Sequence, residues 1–306
     1  MSLYFGVIRL TRLMRNIIVS VAVLVAVIVF AGKYTGMIQP TEAAGGVPAA
    51  SAPAGSGVVV SFIDVGQGDS ELIQTPGGNV LIDSGDYFAR DALLQYLKKA
   101  GVKDFEYVVA THPHSDHISN IYAVLDAYPV KHVLMPDVTD TTATFKQMLT
   151  KIAQKKIPVT KAVSGAAFSV GGADFTVLAP NSKTYTDMNN YSAVLKMQYG
   201  STSFLFEADA QSLSENEMLK KGYDLKADVL KVGHHGSSTS SGKAFIKAVS
   251  PQIAVISCGA NNVYGFPKKT SLNTLNKAGA KLYRTDLNGT ITITSDGKTL
   301  KAVASK

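Results

Sequence analysis

Residues 106–118 read EYVVATHPHSDHI, an apolar run that ends in three histidines and an aspartate. The chain has six histidines in 306 residues, and half of them stand here. If EYVVA is a buried strand, the polar cluster begins where that strand leaves its sheet, the place where loop side chains converge on a cleft. His112 and His114 are two apart and project to one side while the chain is still extended. A pair of imidazoles on one side makes half of a metal site. Asp116 and His117 follow once the chain turns and offer a carboxylate and a third imidazole to a second ion nearby.

Two further stretches repeat the pattern of an apolar run ending in metal-ligating residues. Positions 227–236, ADVLKVGHHG, end in His234 and His235 and are followed by Ser237 and Ser238. Positions 204–210, FLFEADA, supply the oxygen ligand that two neighbouring ions need; Asp209 is the first choice and Glu207, on the same side of an alternating strand, the second. Only His132, in VKHVLMP, stands apart, and it reads as an ordinary structural histidine.

Around these runs the chain alternates short apolar segments with turn signals from Val58 onward. The pattern predicts strands near 58–64, 71–75, 79–83, 106–110, 131–135, 174–179, 192–198, 202–208, 227–232, 252–257, 281–284 and 289–294. Helices are expected at 90–100, 118–127, 142–155, 212–221, 242–248 and 271–278. In SLSENEML, Ser212 with glutamate three residues later carries the signature of a capped helix start. PGGN at 76–79 reads as a hairpin turn. With 46% hydrophobic residues and no internal repeat, the chain is expected to form a layered α/β domain.

The N-terminus has another character. Arg9, Arg12 and Arg15 precede the uncharged run IIVSVAVLVAVIVFA at 17–31, so residues 1–32 read as a signal peptide or membrane anchor, with the downstream chain exported. Residues 33–57 are small and nearly uncharged and read as a flexible linker, leaving 58–306 as the folded domain. The formal charge of +7 falls to +4 beyond position 57, a mild bias that permits a polyanionic substrate without demanding one. KKAGVK at 98–103, KQMLTKIAQKK at 146–156 and FPKK at 266–269 are the nearest approaches to basic patches. A single cysteine, Cys258, excludes an intramolecular disulfide framework and a CxxC zinc site, and its apolar surroundings read as core.

HPHSDH matches the HxHxDH motif of the metallo-β-lactamase superfamily. FIDVGQGDS, LIDSG, NNYSAVL, FLFEADA, LKVGHHGSS and NNVYGFP resemble the hydrolase domain of ComEC-type DNA-uptake proteins, over about 58–295. The resemblance implies an αββα sandwich with two divalent metal ions, zinc or manganese, at one edge of its two sheets. It implies that His112 and His114 bind the first ion, that Asp116 and His117 bind the second, and that Asp209 bridges them. One of His234 and His235 completes the set. His234 is preferred as ligand, with His235 as a proton donor to the leaving group and Asp116 orienting the nucleophile. Asn190, Ser192, Ser237 and Ser238 are candidate substrate contacts, and Asp64, Asp69 and Asp83 are expected to brace the site.

Three departures from the family pattern stand out. No histidine lies between His132 and His234, where many members have a ligand; Glu207, Ala208 and Asp209 replace TGD; and Phe266 replaces the histidine of YGHP. The implied activity is hydrolysis of a phosphodiester, DNA among the candidates, by a metal-generated hydroxide. The alternatives are another envelope phosphoester such as phosphocholine, or an anchored module that binds DNA or polymer without catalysis. No protein partner is implied.

Overall fold

The computed structural model describes residues 57–306. The expected export segment at 1–32 and the tether before residue 57 lie outside the described residues. Among the described residues, no helix is long and apolar enough to cross a membrane.

Among the described residues, fifteen strands form two sheets. In chain order they are β1 Val58–Phe62, β2 Glu71–Thr75, β3 Gly78–Ile82, β4 Phe105–Val109, β5 Val130–Met135, β6 Val159–Lys161, β7 Ala167–Val170, β8 Ala173–Ala179, β9 Val194–Tyr199, β10 Thr202–Phe206, β11 Val229–Lys231, β12 Ile253–Ile256, β13 Lys281–Arg284, β14 Ile291–Ser295 and β15 Leu300–Ala304. The first sheet runs β15-β14-β1-β2-β3-β4-β5-β6 and the second β13-β12-β11-β10-β9-β8-β7. Pro76 and Gly77 turn the hairpin between β2 and β3, which pair antiparallel with Thr75 opposite Gly78.

Alternating residues of each strand build different layers, because successive side chains point to opposite faces. Val80 and Ile82 of β3, and Phe204 and Phe206 of β10, fill the space between the sheets, where Phe62 and Phe206 rings lie 6.2 Å apart. Leu81 and Val108 face outward, onto α1 (Arg90–Lys99), α3 (Ile121–Ala127) and α4 (Ala143–Lys155), through Leu93, Val124 and Met148. α2 is the short turn Ser115–Ile118. Leu205 and Leu230 face outward from the second sheet onto α5 (Ser212–Lys221), α6 (Lys243–Val249) and α7 (Lys269–Lys277), through Met218, Phe245 and Leu275. The layers are therefore αββα. Each fully buried Phe or Leu of these layers contributes about 1.5–3 kcal/mol of burial.

β6, β7 and β15 have no counterpart among the expected strands. All three are sheet edges with much of their surface in water, so burial does not impress an apolar pattern on them. The start of α5 also differs. Ser212 is its first helical residue, and the preceding Gln211 makes no side-chain cap. Asn190 supplies the missing acceptor from a neighbouring segment, its Oδ1 accepting from Gln211 N (3.3 Å) and Ser214 N (3.4 Å).

The site is positioned by parallel pairing. β3, β4 and β5 are parallel in one sheet, and β10 through β13 in the other. Asp83, Thr111 to His117, Asp209 and the His234–His235 pair all follow the C-terminal ends of such strands.

Candidate metal centre

The loop after β4 is held by the loop after β1. Asp69 N donates to Asp116 O at 3.1 Å, and a Cβ on Gly68 would stand 2.2 Å from that same carbonyl, so only glycine allows the approach. Asp83, in the left-handed region with φ 56°, accepts from Thr111 N (2.9 Å) and Thr111 Oγ1 (2.6 Å), and its Oδ2 lies 2.7 Å from His117 Nδ1. That contact fixes the imidazole with Nε2 facing the site. His235 is oriented in the same way. Its Nδ1 lies 2.9 Å from Ser257 O, with Asp69 Oδ1 beside it at 3.2 Å.

Asp209 stands between two donor sets. Its Oδ1 faces His117 Nε2 (3.3 Å) and His235 Nε2 (3.6 Å), while Asp116 Oδ2 lies 3.1 Å from His235 Nε2. Its Oδ2 faces His112 Nε2 (3.9 Å) and His234 Nε2 (3.7 Å), and His114 Nδ1 lies 3.1 Å from His112 Nε2. Ligand atoms of Asp116, His117, Asp209 and His235 lie within 4.8 Å of one another, as do those of His112, His114 and Asp209. His117 Nε2 and Asp209 Oδ1 are buried without a hydrogen-bond partner. Buried polar atoms are normally paired, and two such atoms facing each other at 3.3 Å within a cluster of donors suit a shared cation. The nitrogen and oxygen donors, with no thiolate, suit a divalent transition metal.

Charge in the site is held by burial against close neighbours. Burial pulls His112 well below the usual imidazole range, which leaves it neutral and ready to ligate. Burial also pulls on His235, but the carboxylates of Asp209 and Asp69 outweigh it and raise its pKa to about 10. Asp69 is held at about 2: burial would raise it, and the cation of Lys231 with His235 overrides that. Lys231 is itself buried between the sheets, paired with Asp69, and donates to Val232 O at 3.0 Å.

The sequence profile of the Metallo-beta-lactamase superfamily matches residues 63–260. The chain belongs to this superfamily. Among its relatives, ComE operon protein 3 of Bacillus subtilis is 32% identical over 250 residues, covering 76% of this chain and 32% of the relative. Competence protein ComA of Neisseria gonorrhoeae is 31% identical over 234 residues, covering 76% of this chain and 31% of the relative. The chain thus spans about a third of the length of these curated relatives (32% and 31%). Among solved structures, Igni18, a metallo hydrolase from Ignicoccus hospitalis, aligns with a TM-score of 0.53 at 16% identity over 76% of this chain and 98% of that one. YhfI of Bacillus subtilis, a metallo-beta-lactamase fold protein, aligns at 0.51 and 14% identity over 80% and 99%. The chain is a metallo-β-lactamase superfamily hydrolase related to ComEC-type competence proteins.

Within this superfamily fold, His112, His114, Asp116, His117, Asp209, His234 and His235 come together, with Asp69 and Asp83 behind them. The expected roles of the histidine pair change. His235, read from sequence as a proton donor, is fully buried and closes the second donor set, while His234, partly exposed, stands on the first-set side of Asp209. Both adopt left-handed backbone (φ 47° and 54°), which turns adjacent side chains to opposite oxygens of one carboxylate. Glu207 points away from the donors and accepts from Gly233 N and Ser241 Oγ, both at 2.9 Å.

Other expectations are corrected. Asp64 does not brace the site: it pairs with Lys306 at 2.9 Å on the surface, and its own N–H donates to Thr290 Oγ1. Asn190 serves the start of α5 and is not free for substrate. Ser192 is buried, with Oγ accepting from Asp209 N (3.2 Å) and lying 3.4 Å from His112 Nδ1, so it orients ligands. Ser237 bonds Thr239, and Ser238 faces solvent; neither lines the cleft over the donors. That cleft, of about 390 Å³, is lined instead by Gln67, Pro113, Asp140, Thr142, Asn189, Tyr264 and Phe266 around the donor residues. Asn189 was within reach of sequence reading, since it neighbours Asn190. Asp140 and Thr142 carry no local signal and reach the cleft only through the long connection from β5 to α4.

Proposed function

We propose that the chain is a dinuclear phosphodiesterase with nucleic acid as substrate, anchored by or released from its N-terminal apolar segment outside the cytoplasm. The observation that carries the reading is the division of Asp209, one oxygen toward each donor set. His112, His114, His234 and Asp209 Oδ2 would hold one ion, and Asp116, His117, His235 and Asp209 Oδ1 the other. His234 then takes the place of the mid-chain histidine that the sequence lacks. When bound, two divalent ions supply Lewis-acid charge for a phosphoryl oxygen and a nucleophilic water at neutral pH.

The chain's own residues do the rest. Asp116, at the lip of the cleft, orients the attacking water and takes up its proton. Asp83 and Ser257 O fix the tautomers of His117 and His235, and Ser192 holds Asp209 against His112. Kinship with competence proteins supports nucleic acid over a β-lactam or a choline phosphoester, and the net positive charge beyond position 57 suits a polyanion.

The test is turnover by the full-length chain with Mn²⁺ or Zn²⁺ on DNA, bis(p-nitrophenyl) phosphate, p-nitrophenylphosphocholine and nitrocefin. Phosphodiester cleavage is expected, falling by about 10³-fold in His112→Ala and Asp209→Ala, as loss of several kcal/mol of charge stabilisation requires. Turnover of nitrocefin or the choline ester alone reassigns the substrate. Metal uptake without any turnover points to a binding module, and no uptake sinks the centre itself.

A further inference from the structure

Phe266 stands where the family motif has a histidine, and the structure shows what the exchange builds. The rings of Tyr264 and Phe266 stack with centroids 5.5 Å apart and planes 16° from parallel. Both line the cleft with Asp116, Asp209 and the histidine pair, and the Phe266 ring lies 5.5 Å from that of His234. Tyr264 is 56% exposed. An aromatic pair that only filled the core would not leave a ring so open at the mouth of a catalytic cleft.

The segment carrying the rings is fixed. Asn262 Nδ2 donates to Gly259 O (2.9 Å) and Phe266 O (2.7 Å), while its Oδ1 accepts from Phe266 N (2.9 Å). Lys268 N donates to Gly236 O at 2.8 Å, tying the segment to the His234–His235 turn. Lys268 Nζ stands 5.4 Å from the Phe266 centroid, and Lys269 follows it, exposed. A preorganised pair of stacked rings beside a cationic side chain, 5.5 Å from a histidine of the donor cluster, fits a nucleobase next to a phosphate.

We propose that Tyr264 and Phe266 form a base-stacking platform that makes the centre prefer single-stranded nucleic acid, since a duplex hides its base faces. The inference rests on the phosphodiesterase reading and names its substrate class. Lys268 Nζ donates to Tyr264 O and braces the pair, and the exposed Lys269 takes a phosphate that flanks the stacked base.

The experiment compares a thymidine octamer with an abasic octamer of equal charge on the full-length chain. Binding is read by fluorescence anisotropy in EDTA, where no turnover occurs, and cleavage is read separately in Mn²⁺. The thymidine octamer is expected to bind roughly 10-fold or more tightly than the abasic one. Phe266→Ala and Tyr264→Ala should each lower thymidine-octamer affinity by roughly 5- to 100-fold and collapse that ratio toward one, while Phe266→Trp keeps it. Equal binding of the two octamers, or a ratio unmoved by both alanine variants, overturns the platform. Base-dependent binding without cleavage of any phosphodiester upholds the platform and overturns the hydrolytic reading; cleavage with base-independent binding does the reverse.

Discussion

At the scale of the residue, position matters less than what each side chain's far atom meets. Asp83 binds no ion in the proposed arrangement, yet it decides which nitrogen of His117 faces the centre, by accepting at Nδ1. Asp83→Asn keeps the shape and the bond to Thr111 N but removes the charge that holds the imidazole. Metal affinity of the second donor set is expected to fall about 10- to 100-fold, measured by competition with a chelator. Unchanged affinity would mean that packing alone orients His117. The sequence shows HxHxDH plainly because its ligands are consecutive. It does not show which of two adjacent histidines turns inward, because that depends on two left-handed residues and on Ser257, which comes from another strand end.

At the scale of the element, the join between β10, α5 and the turn after β11 is made by two carboxyl groups. Glu215 of α5 accepts from Gly242 N (3.0 Å), and Glu207, just after β10, braces Gly233, where any Cβ would meet its carboxyl group at 2.5 Å. Burial first, and then the nearby Glu215, hold Glu207 well above the usual carboxylate range; burial raises Glu215 as well. The native state therefore keeps a proton that the unfolded chain releases above about 4.5. Stability from this pair is present below that pH and declines as pH rises through the raised native values. Glu215→Gln retains the acceptor for Gly242 and removes its own share of the titration, leaving that of Glu207. Thermal melts in chelator should show a flatter fall above pH 4.5 for the variant than for the native chain, and parallel curves would show that Glu215 keeps no proton in the native state. Sequence alone gave Ser212 as the cap of α5. The acceptor comes from Asn190, and no local pattern announces a cap supplied from another segment.

At the scale of the whole molecule, the sheets are joined by an apolar interior and by buried ion pairs, among them Lys231 from the second sheet with Asp69 from the loops of the first. Lys231→Met removes the stronger of Asp69's two cationic neighbours, leaving His235, and is expected to cost about 3 kcal/mol in urea unfolding. Adding Asp69→Asn should restore most of that loss, and a double variant as unstable as the single would show that packing, not charge, is at stake. The layered fold was legible because interior strands such as FLF and VLI are apolar on both faces. The edge strands β6, β7 and β15 were not, because half or more of their side chains meet water, whereas the fourth edge, β13, was. Topology carries one more consequence, for the order in which the chain is made. Val58 of β1 pairs with Ser295 of β14, and Asp116 meets His235 across 119 positions of sequence. A nascent chain therefore carries its HxHxDH stretch well before Asp209 and the His234–His235 pair exist. In the proposed arrangement the centre is completed only when β11 and its His234–His235 turn dock beside β10, and the ion it takes is one present at that stage.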